Sequence, residues 1–162
     1  MKYIIIFTLL VACFACNNQK DNNQFLQIQI DRLQKKVDSA YKPGLGEFMS
    51  SIQVHHNKLW FAAQNQNWKL ADFEINEIKE SLADIKDYCS DRPETNSVGM
   101  IDPPIDSITN SIQHKNIAQF NHCYLLLTNT CNNCHHATNH EFNVIKIPDN
   151  PPFSNQDFKV QQ

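Results

Sequence analysis

An all-α fold is predicted: a four-helix up-down-up-down bundle with an N-terminal stalk helix and an extended C-terminal tail. Apolar residues recur at intervals of three and four through four segments between Leu45 and Cys134. Only 3 glycines occur in 162 residues, and alternating β-branched runs are scarce. Short polar connections with capping residues separate several of the periodic segments, which favours antiparallel neighbours. The length suits one modest domain.

Met1-Lys2 followed by Tyr3 to Ala15 is a basic start with an apolar run of about a dozen residues, too short to span a bilayer as a helix. It reads as an export signal over 1–15. Leu10-Val11-Ala12-Cys13 and Phe14-Ala15-Cys16 both resemble the lipobox of bacterial lipoprotein signal peptides, in which a cysteine becomes the acylated N-terminus. Cys13 has the better preceding residues. Cys16, followed directly by the polar stretch Asn17 to Asn23, is favoured. The expected product is an exported lipoprotein, held to the lipid bilayer by its acyl anchor and facing the periplasm.

Tether and stalk occupy 16–43. Leu26, Ile30, Leu33 and Val37 recur at intervals of four, three and four, a heptad stripe on a helix of roughly Asn22 to Tyr41. With so few heptads it serves either as a spacer lifting the domain from the membrane or as the seam of a homodimer. Lys42-Pro43-Gly44 ends it.

The bundle is expected over 44–139. Its first helix, from Leu45 to about Asn65, carries Met49, Ile52, His56, Leu59 and Ala63 on one stripe. Asn67 caps a second helix from Trp68 to about Tyr88, with Ala71, Ile75, Ile78, Leu82, Ile85 and Cys89 in phase. Ser90 to Met100 reads as an irregular connection. Asp102-Pro103-Pro104 opens a shorter third helix with Ile105, Ile108 and Ile112 on one side, ending near Lys115. Asn116 with Gln119 is a capping-box pattern for the fourth, whose stripe is Ile117, Phe120, Tyr124, Leu127, Cys131 and Cys134. After Asn139 the helical period disappears, and 140–162 reads as an extended tail laid over the bundle.

Cys131-Asn132-Asn133-Cys134-His135 has the C-x-x-C-H spacing at which two thiols bond covalently to the vinyl groups of haem and the histidine lies under the iron. On a helix the three side chains share one face. Competing readings are a reduced thiol pair, a thioredoxin-like dithiol, or a Cys2His-type zinc site drawing on His135, His136 or His140. Zinc usually takes a second CxxC or a paired histidine cluster, and thioredoxin motifs follow a βαβ pattern; neither is evident. One covalent haem c with His135 as proximal axial ligand is therefore expected. Covalent attachment occurs outside the cytoplasm in bacteria, in agreement with the export signal. Cys89 and Cys123 remain, either as a disulfide or as separate buried thiols.

Antiparallel packing would set the end of the fourth helix beside the start of the first. Met49, about one turn into that helix, is the candidate distal ligand, with a core gap-filler as its other reading. His56 is roughly 10 Å further along the same face, and His122 roughly 20 Å back from His135 on its own helix. His56 is the candidate pocket residue. His55 should face outward, Met100 and His140 lie in stretches able to fold over the haem edge, and His114, His122 and His136 default to the surface. Trp60, Trp68, Phe61, Phe73 and Tyr124 are expected in the core.

The segment Asn116-Ile117-Ala118-Gln119-Phe120 through Tyr124 and Leu127 to the C-x-x-C-H motif resembles the last helix of the cytochromes c prime and their low-spin relatives. Those are monohaem four-helix bundles with this motif near the C-terminus. The resemblance spans Leu45 to Asn139 by helix order, and the final helix is its close part. The third helix is short, and the basic residue the family commonly carries just after the motif is absent, His136-Ala137-Thr138-Asn139 standing there instead. Stalk and tail lie outside the pattern. The resemblance implies a methionine from the first helix as sixth ligand, as in the low-spin relatives, and Met49 is the matching position. A class-I cytochrome c would carry its motif near the N-terminus with a methionine downstream, and no methionine follows His135.

The expected function is a membrane-tethered monohaem c-type cytochrome carrying single electrons among redox partner proteins of the periplasm. The alternative is a five-coordinate protein that binds or senses NO or CO, like the cytochromes c prime, with Met49 only packing. A third is a non-haem interaction lipoprotein using its stalk heptads. A formal charge of −3 provides no basic surface for nucleic acid. No nucleophile–base set, phosphate loop or carboxylate dyad predicts an enzyme, and His55 or His56 is nominated for peroxidase chemistry only by proximity.

Overall fold

The computed structural model describes residues 22–37 and 42–161. The export signal, Cys13, Cys16 and the last turn expected of the stalk helix, at 38–41, lie outside the described residues. The chain divides into two units between Lys42 and Pro43. All regular structure among the described residues is helical, in agreement with the all-α expectation, and none of these helices is long and apolar enough to cross a membrane.

In the first unit, α1 covers 22–37. Its stripe residues Leu26, Ile30, Leu33 and Val37 are all more than half exposed, and Phe25 and Ile28 are exposed with them. A side-chain bond from Gln27 to Asp31 at 2.8 Å, one turn apart, supports the helix.

The second unit comprises α2 (Leu45–Gln64), α3 (Trp68–Tyr88), a 3₁₀ helix (Pro93–Ile101), α4 (Asp102–Gln113) and α5 (Ile117–Ala137). Both expected asparagine caps form: Asn67 Oδ1 accepts from the Leu70 amide at 3.3 Å and Asn116 Oδ1 from the Gln119 amide at 3.0 Å. Each cap follows a residue in the left-handed region, Gln66 at φ 55° and Lys115 at φ 53°. The preceding helix ends there in paired bonds, Gln66 to Ala63 and Asn67 to Ala62, then Lys115 to Ile112 and Asn116 to Ser111. A three-residue reversal thus joins α2 to α3 and α4 to α5.

The segment expected to be irregular, Ser90 to Met100, instead winds largely into the 3₁₀ helix. Thr95 Oγ1 donates to the Cys89 carbonyl at 2.7 Å, and Val98 and Ile101, three residues apart, bury their side chains on one face. That spacing matches three residues per turn. The core takes Ile75, Ile78 and Ile85 from α3, Ile105, Ile108 and Ile112 from α4, and Phe120, Tyr124 and Leu127 from α5. Phe73, expected in this core, is exposed, while Trp60, Phe61 and Trp68 pack against it half-buried. Cys89 and Cys123 are separate buried thiols.

Helix α2 packs on α3, α3 on α4 and α4 on α5, and α2 meets α5 over a smaller area. The tail has no helix or strand, but it is well held. Phe158 is buried against Phe61, with ring centroids 5.8 Å apart, and Asn67 donates to the carbonyls of Phe158 and Lys159 at 3.3 Å. Asn57 reaches the Asn150 carbonyl, so the tail follows α2.

His55 does not face outward as expected. Its Nδ1 lies 2.6 Å from Oε2 of Glu74, a fully buried α3 carboxyl whose other oxygen has no partner among the described residues. Removing the imidazole strands that carboxyl between α2 and α3. His55→Ala is therefore expected to cost on the order of 3 kcal/mol in urea denaturation, and His55→Ala/Glu74→Leu should recover most of it. A loss under about 0.5 kcal/mol for the single change would contradict this.

Candidate cofactor site

The first turns of α2 and the last turns of α5 line a cavity of about 370 Å³, within the roughly 300–1,000 Å³ range of small-molecule sites. Its walls are mainly apolar, including Leu45, Ile52, Leu82, Val98, Ile101 and Ile145. Met49, His56, Cys131, Cys134 and His135 all line it, so the residues singled out in the sequence converge on one space. His140 lines it as well; His114, His122 and His136 are exposed.

On α2, Phe48 rather than Met49 turns into the core, stacking on Tyr88 at 6.4 Å between centroids. Met49 is left half-buried at the cavity wall, packed against the core. On α5, Phe120, Tyr124 and Leu127 are buried, and the same stripe continues to half-buried Cys131 and Cys134.

His135 Nδ1 is 2.5 Å from the carbonyl of Asn143. A carbonyl only accepts, so the proton sits on Nδ1 and Nε2 keeps its lone pair, with no hydrogen-bond partner among the described residues. The turn responsible has Asn139 at φ 59° and a bond from the His140 amide to the His135 carbonyl at 2.7 Å. Asn132 then holds the returning chain by two bonds to the Ile145 backbone, each 2.8 Å.

His56 is engaged at both ring nitrogens, Nδ1 by the Tyr124 hydroxyl at 2.9 Å and Nε2 by Thr128 Oγ1 at 3.0 Å. It is a wall residue with no free ligating nitrogen. Trp60 packs on Tyr124 at 4.8 Å between centroids and Phe120 on Tyr124 at 5.7 Å, an aromatic cluster behind His56 that does not itself line the cavity.

Burial pushes the Cys131 thiol up to about 12, with the neighbouring Cys134 adding to it, and burial also raises Cys134. Nucleophilic dithiols need the opposite shift, so the thioredoxin-like reading loses support. Among the described residues no group of three or more His, Cys, Asp or Glu side chains is arranged to hold a metal ion. The Cys2His zinc reading therefore finds no complete ligand set.

Sequence reasoning missed the walls built by Arg92, Glu94, Val98 and Ile101, because their segment lacks the α-helical period. The three-residue step from Val98 to Ile101 was the available signal. It also missed Asn143 and Ile145, whose positions depend on the turn at Asn139.

No protein-family model matches the chain, and neither a curated protein nor a solved structure matches it.

Burial holds His56 near a pKa of about 4 against its ordinary 6.5. The unfolded chain therefore binds a proton first on acidification. The stability that neutral His56 contributes is whole above pH 6.5 and is lost as the pH falls toward 4. Between those limits the chain is expected to lose about 3 kcal/mol more than His56→Gln in urea titrations. Parallel pH profiles would show that the imidazole is not buried in its neutral form.

Proposed function

We propose that the chain is a membrane-tethered monohaem c-type cytochrome that carries single electrons between periplasmic redox partners. In this reading Cys16, or Cys13, bears the acyl anchor, α1 is the stalk or the seam of a homodimer, and α2 to α5 form an up-down-up-down bundle. The contacts support that topology. Phe48 meets Tyr88 while His55 meets Glu74, Lys86 meets Asp102, and Gln64 meets Asn121 while His56 meets Thr128. The last helix and the C-x-x-C-H motif are similar to those of the cytochromes c prime and their low-spin relatives.

One observation carries the reading: the two thiols, the free Nε2 of His135 and the Met49 thioether share a single apolar cavity. The residues present fit a covalently held haem, with Cys131 and Cys134 as thioether donors, His135 as the proximal ligand and Met49 as the α2 ligand. When bound, haem supplies reversible one-electron chemistry at iron. Asn143 fixes the His135 tautomer and increases its basicity as a ligand. The aliphatic walls exclude water, and Tyr124 and Thr128 hold His56 away from coordination. Met49 would close the sixth position and favour a high reduction potential.

A second reading, a five-coordinate NO- or CO-binding protein, is favoured by the packing of Met49 against the core, which is what a gap-filler does. Two experiments test these readings in the full chain expressed with a haem-attachment system. A haem stain that survives denaturing electrophoresis is expected, and its loss in Cys131→Ala/Cys134→Ala; an unstained native chain would end both readings. The reduced native protein should be low-spin and slow to bind CO, and Met49→Leu high-spin and fast. Identical spectra in the two proteins would favour the gas-binding alternative.

A further inference from the structure

Among the described residues lining the cavity, Arg92 is the one lysine or arginine and Glu94 the one acid. They engage each other in a two-pronged arrangement, Arg92 Nη2 donating to one Glu94 oxygen at 2.9 Å and Nε to the other at 3.3 Å. The backbone around them is fixed. The Arg92 amide donates to the Cys89 carbonyl at 3.0 Å, and the Thr95 amide to that of Arg92 at 3.1 Å. Arg92 is half exposed, and Glu94 is only 15% exposed.

Two residues apart, this pair contributes little to the fold that a turn would not supply. It does show that the Arg92 fork accepts a planar carboxylate at the cavity wall. Haem brings two carboxylate arms, and the chain that must receive them has a net charge of −3. Elsewhere the cavity wall is aliphatic or uncharged, apart from its histidines. Of these, His56 is already engaged at both nitrogens and His135 is committed to the Asn143 carbonyl. His140 donates to the Thr138 carbonyl through Nδ1.

We propose that Arg92 is the counter-ion for the carboxylate arms of the bound porphyrin, and that Glu94 holds the same guanidinium fork as a stand-in until the porphyrin arrives. This rests on the haem reading above. Glu94 is thereby an internal competitor: it positions Arg92 and weakens the site it positions. Exchange of one carboxylate for another keeps the guanidinium paired in both states, and the release of the Glu94 carboxylate is the cost that makes it a competitor.

The test uses the full chain with Cys131→Ala/Cys134→Ala, so that porphyrin binding is a measurable equilibrium, titrated with ferric protoporphyrin IX and with its dimethyl ester. Adding Arg92→Leu is expected to weaken the acid form by roughly threefold to tenfold while leaving the ester unchanged. Adding Glu94→Gln should tighten the acid form by a comparable factor. Equal affinity for the acid with and without Arg92→Leu, or equal loss for acid and ester, would overturn the proposal. In the native holoprotein the midpoint potential should fall in Arg92→Leu and rise in Glu94→Gln; no movement in either would overturn it independently of the cysteine variant. A native chain that stains for covalent haem but fails these tests removes only the role of Arg92. A chain that neither stains nor binds porphyrin removes the haem reading and this inference together.

Discussion

The knot of His56, Tyr124 and Thr128 is the contact on which the arrangement of the second unit turns. It ties α2 to α5, which meet over a smaller area than the helices consecutive in the chain. The Tyr124 hydroxyl lies within hydrogen-bond distance of both the His56 ring and the His56 carbonyl, and Thr128 Oγ1 bonds back to the Tyr124 carbonyl at 2.9 Å. Buried polar groups are costly when unpaired and directional when paired, so this knot sets where the two helices meet in a way that aliphatic packing alone would not. On one side of it the gap is filled by Trp60 and Phe120. On the other side lies the cavity, lined by the first turns of α2 and the last turns of α5.

Helix termination shapes the opposite wall. The α5 helix stops directly after the C-x-x-C-H motif because Asn139 takes the left-handed conformation and caps the last turn. The chain then reverses, and the Asn143 carbonyl meets His135 while Ile145 meets Asn132. A continuing helix would have left His135 without an orienting acceptor. The same device, a left-handed residue closing a helix, also makes the turns at Gln66 and Lys115, where asparagine caps restart the chain. Non-glycine residues fill all three positions, so each turn carries a modest conformational cost that its capping bonds offset.

The chemistry available to the cavity follows from its asymmetry. α5 supplies two half-buried thiols and an imidazole whose tautomer is set by a carbonyl, and α2 supplies a soft thioether. The 3₁₀ helix and the residue before it supply aliphatic cover and one paired guanidinium. Low polarity around a metal-binding imidazole favours the less charged oxidation state, and a soft ligand works in the same direction. Under the haem reading proposed above, a Met49 that reached the iron would suit electron carriage, and a Met49 packed against the core would suit gas binding.

The helices and most of their buried faces are legible in the amino-acid pattern alone. The intervals of three and four, the asparagine caps and the Pro-Pro start of α4 are local properties, and local rules read them to within a residue or two. The pattern also singled out Cys131, Cys134 and His135 by their C-x-x-C-H spacing, and the structure brings all three to one cavity. Long-range packing alone put Phe48 in the core against Tyr88, locked His56 with two hydroxyls, and set His55 against a buried carboxyl. Those outcomes depend on which residues from distant helices compete for the same volume and the same lone pairs. The 3₁₀ wall and the Asn143 carbonyl were hidden for a related reason. Neither has a helical period, and each acquires its position from contacts far away in the chain.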